Sequence, residues 1–444
     1  RQMCIRDRWC EVSFFSRRPV TTEEINSLTS VWQARGLKAV FVAMACAFGA
    51  WALLLPVVPT AVLDAGGSET LAGTTTGVFM LFTVTTQVFT PRLLRKFGYT
   101  TVMSVSAFLL GFPAVGYLLG MGAPEVLTIS AIRGVGFGAL TVAEAAIVAE
   151  LVPISLLGRA TGVVGIMIGL AQMIALPTGM ALVQRIGYDA VYLIAGGVGL
   201  LALVACQGIP PIPPPEKETS ETDHIYVPIW RLVLVPALAL MFVTTAYGAI
   251  TNFLPASMRE LDPVAGATLG GLMLGFMNFA SMLSRYYAGH VMDRVGYPGT
   301  VMIRFQITAA LGVFLIAAIL VFQLSVWWMV LAALLYGLGF GAVQNEALTM
   351  MFYRLPRSKT SEAAAIWNVA YDGGTGLGST FYGMLLTTMA FSPMFGISAA
   401  VIMIGLVVTL LDRQLGRHRV VEVNNLAARL QSVQAPRRHR RRDR

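Results

Sequence analysis

The chain alternates long runs of apolar residues with short polar connections, and the length of the runs sets the element type. Twelve runs reach about 18 residues or more, enough for a helix to cross the hydrocarbon of a bilayer. They cover 39–62, 71–90, 100–119, 126–149, 160–183, 190–209, 229–251, 267–289, 300–322, 327–349, 363–386 and 394–411, numbered below as spans one to twelve. A strand barrel requires alternating segments of about ten residues, a pattern these runs do not follow. The pattern therefore predicts an all-α membrane protein with twelve transmembrane helices. Before span one, Thr21 followed by Glu24 has the spacing of a capping box, which predicts a short helix over 22–35.

One interruption differs from the rest. Residues 210–228 (PPIPPPEKETSETDHIYVP) are polar and Pro-rich, the composition of an extended linker, and they fall after span six. The expected division is an N-terminal tail over 1–35, a six-helix bundle over 36–209, the linker over 210–228, a second bundle over 229–412 and a basic tail over 413–444. The first eight residues, RQMCIRDR, read as foreign to the protein. No apolar h-region follows them, so no cleavable signal peptide is expected.

Composition supports lipid as the main solvent. Only 12% of residues are charged, against about 25% in soluble domains, and the mean hydropathy is +0.70. The net charge of +9 could suggest a nucleic-acid binder, but its distribution argues for a membrane. Of the 32 Lys and Arg, 28 fall in the tails, linker and connections of one side, counting the span ends that border them. Two, Arg185 and Arg259, lie on the other side, and Arg133 and Arg285 lie within spans. By the positive-inside rule the basic side is cytoplasmic, with both termini there. The basic tail suits contact with anionic lipid headgroups. Four cysteines without CxxC pairs or His partners predict no disulfide framework, metal site or cofactor.

The two halves repeat each other. Gly134-Val-Gly-Phe-Gly-Ala139 in span four matches Gly337-Leu-Gly-Phe-Gly-Ala342 in span ten, and Pro153 and Pro356 keep the same offset. The connection after span two, Pro91 to Tyr99, is similar to that after span eight, Gly289 to Tyr297. Gly289, Asp293, Arg294 and Gly296 resemble the G-x-x-x-D-R-x-G signature of the major facilitator superfamily, with a degenerate first copy carrying Pro91 and Arg95. Arg133 followed by Gly134, Gly136 and Gly138 resembles the span-four motif of proton-linked members. Pro177-Thr178-Gly179 resembles a reduced form of the antiporters' span-five motif. The resemblance covers 36–412 and implies two pseudo-symmetric six-helix bundles. It also implies a latch in which Asp293 faces the start of span five at Gly158 and Arg159.

Charged side chains inside spans are functional candidates, because each costs several kcal/mol unless paired or hydrated. Asp372 in span eleven falls near mid-depth, with Asn368 on the same face and Trp367 and Tyr371 beside it. It reads either as a proton-coupling group or as a carboxylate packed against span two. Arg133, Glu144 and Glu346 lie on spans four and ten, which line the cavity in the family. The two glutamates read either as coupling groups or as caps of a wet vestibule paired with Arg159, Arg285 or Arg354. Arg285 reads as an interhelical anchor rather than a substrate ligand, and Gln87, Asn252, Asn278 and Gln172 as glue or as solute contacts. Phe48, Trp51, Tyr247, Trp367 and Tyr371 form an aromatic inventory suited to an amphipathic solute.

The resemblance implies a secondary active transporter working by alternating access. Multidrug-efflux-like export of a small amphipathic solute against protons leads, with proton-coupled uptake of a small metabolite as the alternative. A non-transporting scaffold or sensor is the remote one. No G-x-x-x-x-G-K-[ST] loop occurs, and the four His residues lie in or near the polar connections, so no enzyme is expected. Partners would be the solute, protons and lipids. The resemblance implies a monomer, placed in a bacterial inner membrane.

Overall fold

The computed structural model describes residues 20, 22–152, 154–211, 229–295, 299–355 and 360–415, and among these there are helices and no strands. The spans are Leu37–Asp64, Glu69–Phe97, Tyr99–Leu119 and Ala123–Leu151, then Ile154–Cys206, which contains spans five and six. The second half has Ile229–Ser257, Gly266–Val295, Met302–Phe322, Trp328–Arg354, Thr360–Leu385 and Phe391–Leu415. Gly187 separates spans five and six, with φ 82 in the left-handed region that glycine adopts without a Cβ clash.

Nine of the described helices are long and apolar enough to cross a membrane, and one of these, Val163–Cys206, is the doubled one. Spans two and eleven fall below that level because they are rich in threonine and glycine. With the doubled helix divided and these two restored, the count is twelve. Most of their threonine hydroxyls are satisfied within the helix. In span two, Thr74, Thr83, Thr85, Thr86 and Thr90 each donate to the carbonyl four residues earlier, which removes the cost of an unpaired hydroxyl in lipid.

The sequence repeat has a packing cause. A Cβ on Gly134, Gly136 or Gly138 would fall within 3.0 Å of the backbone of span two or span three. The same holds for Gly337, Gly339 and Gly341 against spans eight and nine. In each half the first and third glycine face one neighbour and the second faces the other, so three backbones meet closely. Across the halves, span two packs on span eleven and span five on span eight. Pro177 of span five touches this second seam, facing Gly275.

Two expectations are corrected here. The helix expected over 22–35 is Thr22–Asn26 followed by a 3-10 turn at Val31–Gln33. Ser27 donates to the Glu24 carbonyl at 2.8 Å and Thr29 to the Gln33 side chain at 3.0 Å, offering the backbone an alternative to helix. Thr21 lies outside the described residues. In the sequence, the small-residue rows Gly162, Gly165, Gly169 and Gly266, Gly270 read as close helix packing. A Cβ on Gly165 would meet nothing within 4 Å, whereas one on Gly169 would meet the Met282 side chain at 3.3 Å, and Gly266 and Gly270 sit against the backbone of Met258 and Pro255.

Candidate functional site

Each repeat supplies a phenylalanine that becomes the hub of an aromatic cluster. In the first half Phe137 stacks on Trp51, ring centroids 4.9 Å apart, and touches Phe48 and Phe79 at 5.2 and 5.5 Å. In the second half Phe340 stacks on Tyr247 at 4.7 Å and Tyr336 at 5.6 Å, and meets Tyr371 at 5.9 Å. Trp367 extends that shelf by stacking on Tyr371 at 5.4 Å, its indole donating to the Gln344 carbonyl. Stacked and tilted pairs at these spacings add to the area they bury. The hub phenylalanines were not singled out in the sequence, although they are the one non-glycine position between the second and third glycines of the repeat.

Asp372 lies midway along Thr360–Leu385, buried to 4% exposure. Gln87 of span two donates to it at 2.7 Å and lies 3.2 Å from the Thr141 hydroxyl of span four. The expected proximity to span two is therefore present, and the carboxyl bridges the two halves. Half-buried Asn368 precedes it by one turn. The Gln87 carbonyl and the indole N–H of Trp51 are buried without a partner among the described residues. Tyr371 and Tyr247 line the shelf beside Asp372, with Tyr247 fully buried.

The other predicted residues separate into different places. Arg133 is turned into the first half, where its Nε donates to the Leu110 carbonyl at 3.0 Å and a terminal nitrogen to Ala50 at 3.3 Å. Its guanidinium lies 5.8 Å from the centres of the Phe79 and Tyr117 rings, an arrangement that offsets its burial. With Trp51, Thr75, Thr76 and Ser130 it lines a cavity of about 20 Å3, room for one water. Tyr336, which occupies the matching position in span ten, donates to the Val243 carbonyl at 2.9 Å and so repeats the Arg133–Ala50 link.

Glu346 accepts from the backbone N–H of Gly299, at the start of span nine. Arg354 instead pairs with Asp412 at 2.5 Å and donates to the Leu232 carbonyl. Glu144 is buried in the first half near Cys206. The expected pairing of these two glutamates with Arg285 or Arg354 is thus corrected: Glu346 uses a backbone donor, and neither forms an ion pair among the described residues. Gly289 has only the Asn345 amide near its Cβ position, at 3.9 Å. The remainder of the expected latch, Gly296 and the side chains of Asp293, Arg294 and Arg159, lies outside the described residues.

A seal closes the face opposite the basic connections, and the sequence reading missed it. Arg259, after span seven, grips both oxygens of Asp64 at the end of span one, one of them at 3.0 Å. Tyr188 donates to the same carboxylate at 2.5 Å. Thr268 of span eight donates to the Gln184 side chain at 2.7 Å, and Gln184 in turn donates to the Val264 carbonyl. Deeper in, Thr76 donates to Asn252 at 2.7 Å, and span two meets span eleven where Gly73 faces Gly383. The one sequence signal was that Arg259 is among only two cations on that side.

The seal gives a direct prediction. Arg259→Ala removes a bidentate but one-third-exposed pair, which is worth up to about 1 kcal/mol, or roughly a five-fold change in a two-state equilibrium. A Val58→Cys reporter just beneath the seal should then react about five times faster with an impermeant maleimide applied from that face. An unchanged rate would show that the ion pair does not hold the face closed.

Two six-helix bundles that meet along two seams, share a bridging carboxyl and are sealed at one face define a multi-pass membrane transporter rather than an enzyme. The chain belongs to the major facilitator superfamily, whose model matches residues 40–379. It is 27% identical over 186 residues to a protein named multidrug resistance protein MdtG from Escherichia fergusonii, covering 41% of this chain and 44% of that one. It is 24% identical over 243 residues to a probable sugar efflux transporter from Helicobacter pylori, covering 53% and 59%. The chain thus spans about half the length of the curated relatives it matches. Among solved structures, a D-xylose-proton symporter superposes with TM-score 0.71 at 15% identity, covering 89% of this chain and 99% of that one. A variant of the nucleoside transporter NupG superposes with TM-score 0.67 at 11% identity, covering 85% and 98%. These neighbours carry the twelve-helix fold.

Proposed function

We propose that the protein exports a small amphipathic solute in exchange for protons, by alternating access, as a monomer in a bacterial inner membrane. The basic face and both termini are then cytoplasmic, and the sealed face is external. The observation that carries this reading is the Asp372–Gln87 bridge between the halves. A hydrogen bond to an ionised carboxylate is roughly twice as strong as a neutral one. Gain of a proton at Asp372 therefore weakens a link between the two bodies that must move, which is the elementary requirement for coupling.

The direction rests on the curated relatives, both named for resistance or efflux. The solute class rests on the two aromatic clusters, since a polyhydroxylated solute would require many more polar partners than these provide. Inverted membrane vesicles with an acid lumen test the reading, with a panel of cationic, neutral and anionic fluorescent amphiphiles offered outside. At least one should accumulate while protons leave the lumen. Accumulation only in right-side-out vesicles, with protons entering, would identify an uptake system instead. Movement in neither orientation would remove the transport reading.

A further inference from the structure

Span eight holds a cation that none of these arrangements uses. Arg285 lies ten residues before the basic end of Gly266–Val295, about 15 Å along the axis. Leu283, Tyr286, Tyr287 and His290 are exposed and mark the outer face of that helix. At 100° per residue Arg285 projects from the opposite side, on the flank shared with Asn278 and Met282. Met282 lies against Gly169 of span five, so this flank faces the first half. A route along the lipid surface to the headgroups is therefore closed to its side chain.

The expected role of Arg285 as an interhelical anchor is not what the structure shows. It forms no ion pair or hydrogen bond with the described residues, and its Nε is shielded from solvent without a partner. Its charge acts on the hydroxyls of Tyr247 and Tyr371, and Asn278 faces the same Tyr247 hydroxyl. That hydroxyl is buried against Tyr371 as well, without a hydrogen bond of good geometry to either. Asp372, the carboxylate next along from Tyr371, is turned to Gln87. A half-buried guanidinium whose Nε meets neither solvent nor an acid is costly, and its planar fork fits two oxygens of a carboxylate.

We propose that Arg285, together with Tyr247 and Tyr371, recognises a carboxylate on the solute, whose apolar body lies on the Phe340–Trp367 shelf. The solute class is then an amphipathic organic acid rather than a lipophilic cation. The inference rests on the transport reading and narrows it. It also explains why the second half departs from the first: Phe340 and Phe137 are equivalent hubs, but among the described residues only the Phe340 cluster has an unengaged cation beside it, since Arg133 is tied to two carbonyls.

Three probes of nearly one shape separate charge from bulk: 1-naphthoate, 1-naphthamide and 1-naphthylmethylammonium. Binding of each to the purified full chain is measured by scintillation proximity, and transport in inverted vesicles. The acid should bind at least ten-fold more tightly than the amide or the ammonium. Arg285→Gln should erase that preference, while Arg285→Lys should keep part of it. The ligand-free Arg285→Gln protein should melt no lower than the parent, because it loses an unpaired charge and no bond. Equal binding of the three probes, no binding of the acid, or a preference that survives Arg285→Gln would overturn the proposal. So would a lower melting point with loss of all three probes, the signature of an anchor. If the amide or ammonium is bound and pumped while the acid is ignored, transport stands and acid recognition falls. If none is bound or moved, both fall.

Discussion

Asp372→Asn is expected to leave the protein folded and abolish concentrative transport. The asparagine carbonyl occupies the place of the oxygen that accepts from Gln87 at 2.7 Å, so the bridge between spans two and eleven survives in neutral form. What is lost is the ability to change charge. For a one-for-one exchange with the membrane potential clamped at zero, a gradient of two pH units supports roughly 100-fold accumulation, since each unit is worth about 1.4 kcal/mol. The variant should fall to about one-fold while still exchanging labelled for unlabelled solute without a gradient. Asp372→Leu should also lose stability, by about 1–3 kcal/mol, because Gln87 then keeps only the Thr141 contact. Full accumulation by the Asn variant would reduce Asp372 to a packing residue.

The fold was legible because its main determinants are local. Run length gave the spans, and the linker composition at 210–228 placed the division after span six. The glycine repeat was visible as an offset in sequence before its packing role was known. Spans two and eleven were harder by hydropathy alone, because their threonines satisfy their own hydroxyls along the helix, and such bonds have no signal in an apolar average. The site was only partly legible. Asp372 was identifiable by depth, but its donor lies 285 residues away, so Gln87 entered only as one of several polar residues within spans.

Three features depended on geometry that spacing does not encode. Asp64 and Arg259 are separated by 195 residues and sit at the ends of helices, where charge is ordinary. Glu346 was read against arginines, but one of its oxygens is filled by a backbone N–H, which every residue except proline offers. Arg285 looked like an anchor because a cation within a span usually has a partner. Which flank of span eight it occupies, and what stands there, was decided only by the packing of spans five, seven and eleven around it.

The glycine repeat carries the largest expected effect on stability. Gly138→Ala and Gly341→Ala each place a methyl group where the structure has a carbonyl oxygen, of Thr83 and of Ser281 respectively. Backbone cannot rotate away as a side-chain tip can, so the two helices must separate along the contact. Overpacking of this kind costs about 1–3 kcal/mol and occasionally more, and separation also loosens the neighbouring Thr83–Gly134 hydrogen bond in the first half. By the usual scaling for folded domains, a loss of about 3 kcal/mol lowers the melting midpoint by roughly 6–12 °C. Gly165→Ala and Gly373→Ala are the controls, since a Cβ at either meets nothing within 4 Å. Alanine is favoured over glycine in a helix by up to about 1 kcal/mol, so these should melt at or slightly above the parent. The physical claim is that glycine is required in spans four and ten for close approach of backbones, not for helix flexibility. Controls that fall as far as the repeat variants would point to flexibility instead, and the matched repeat would then lose its packing explanation.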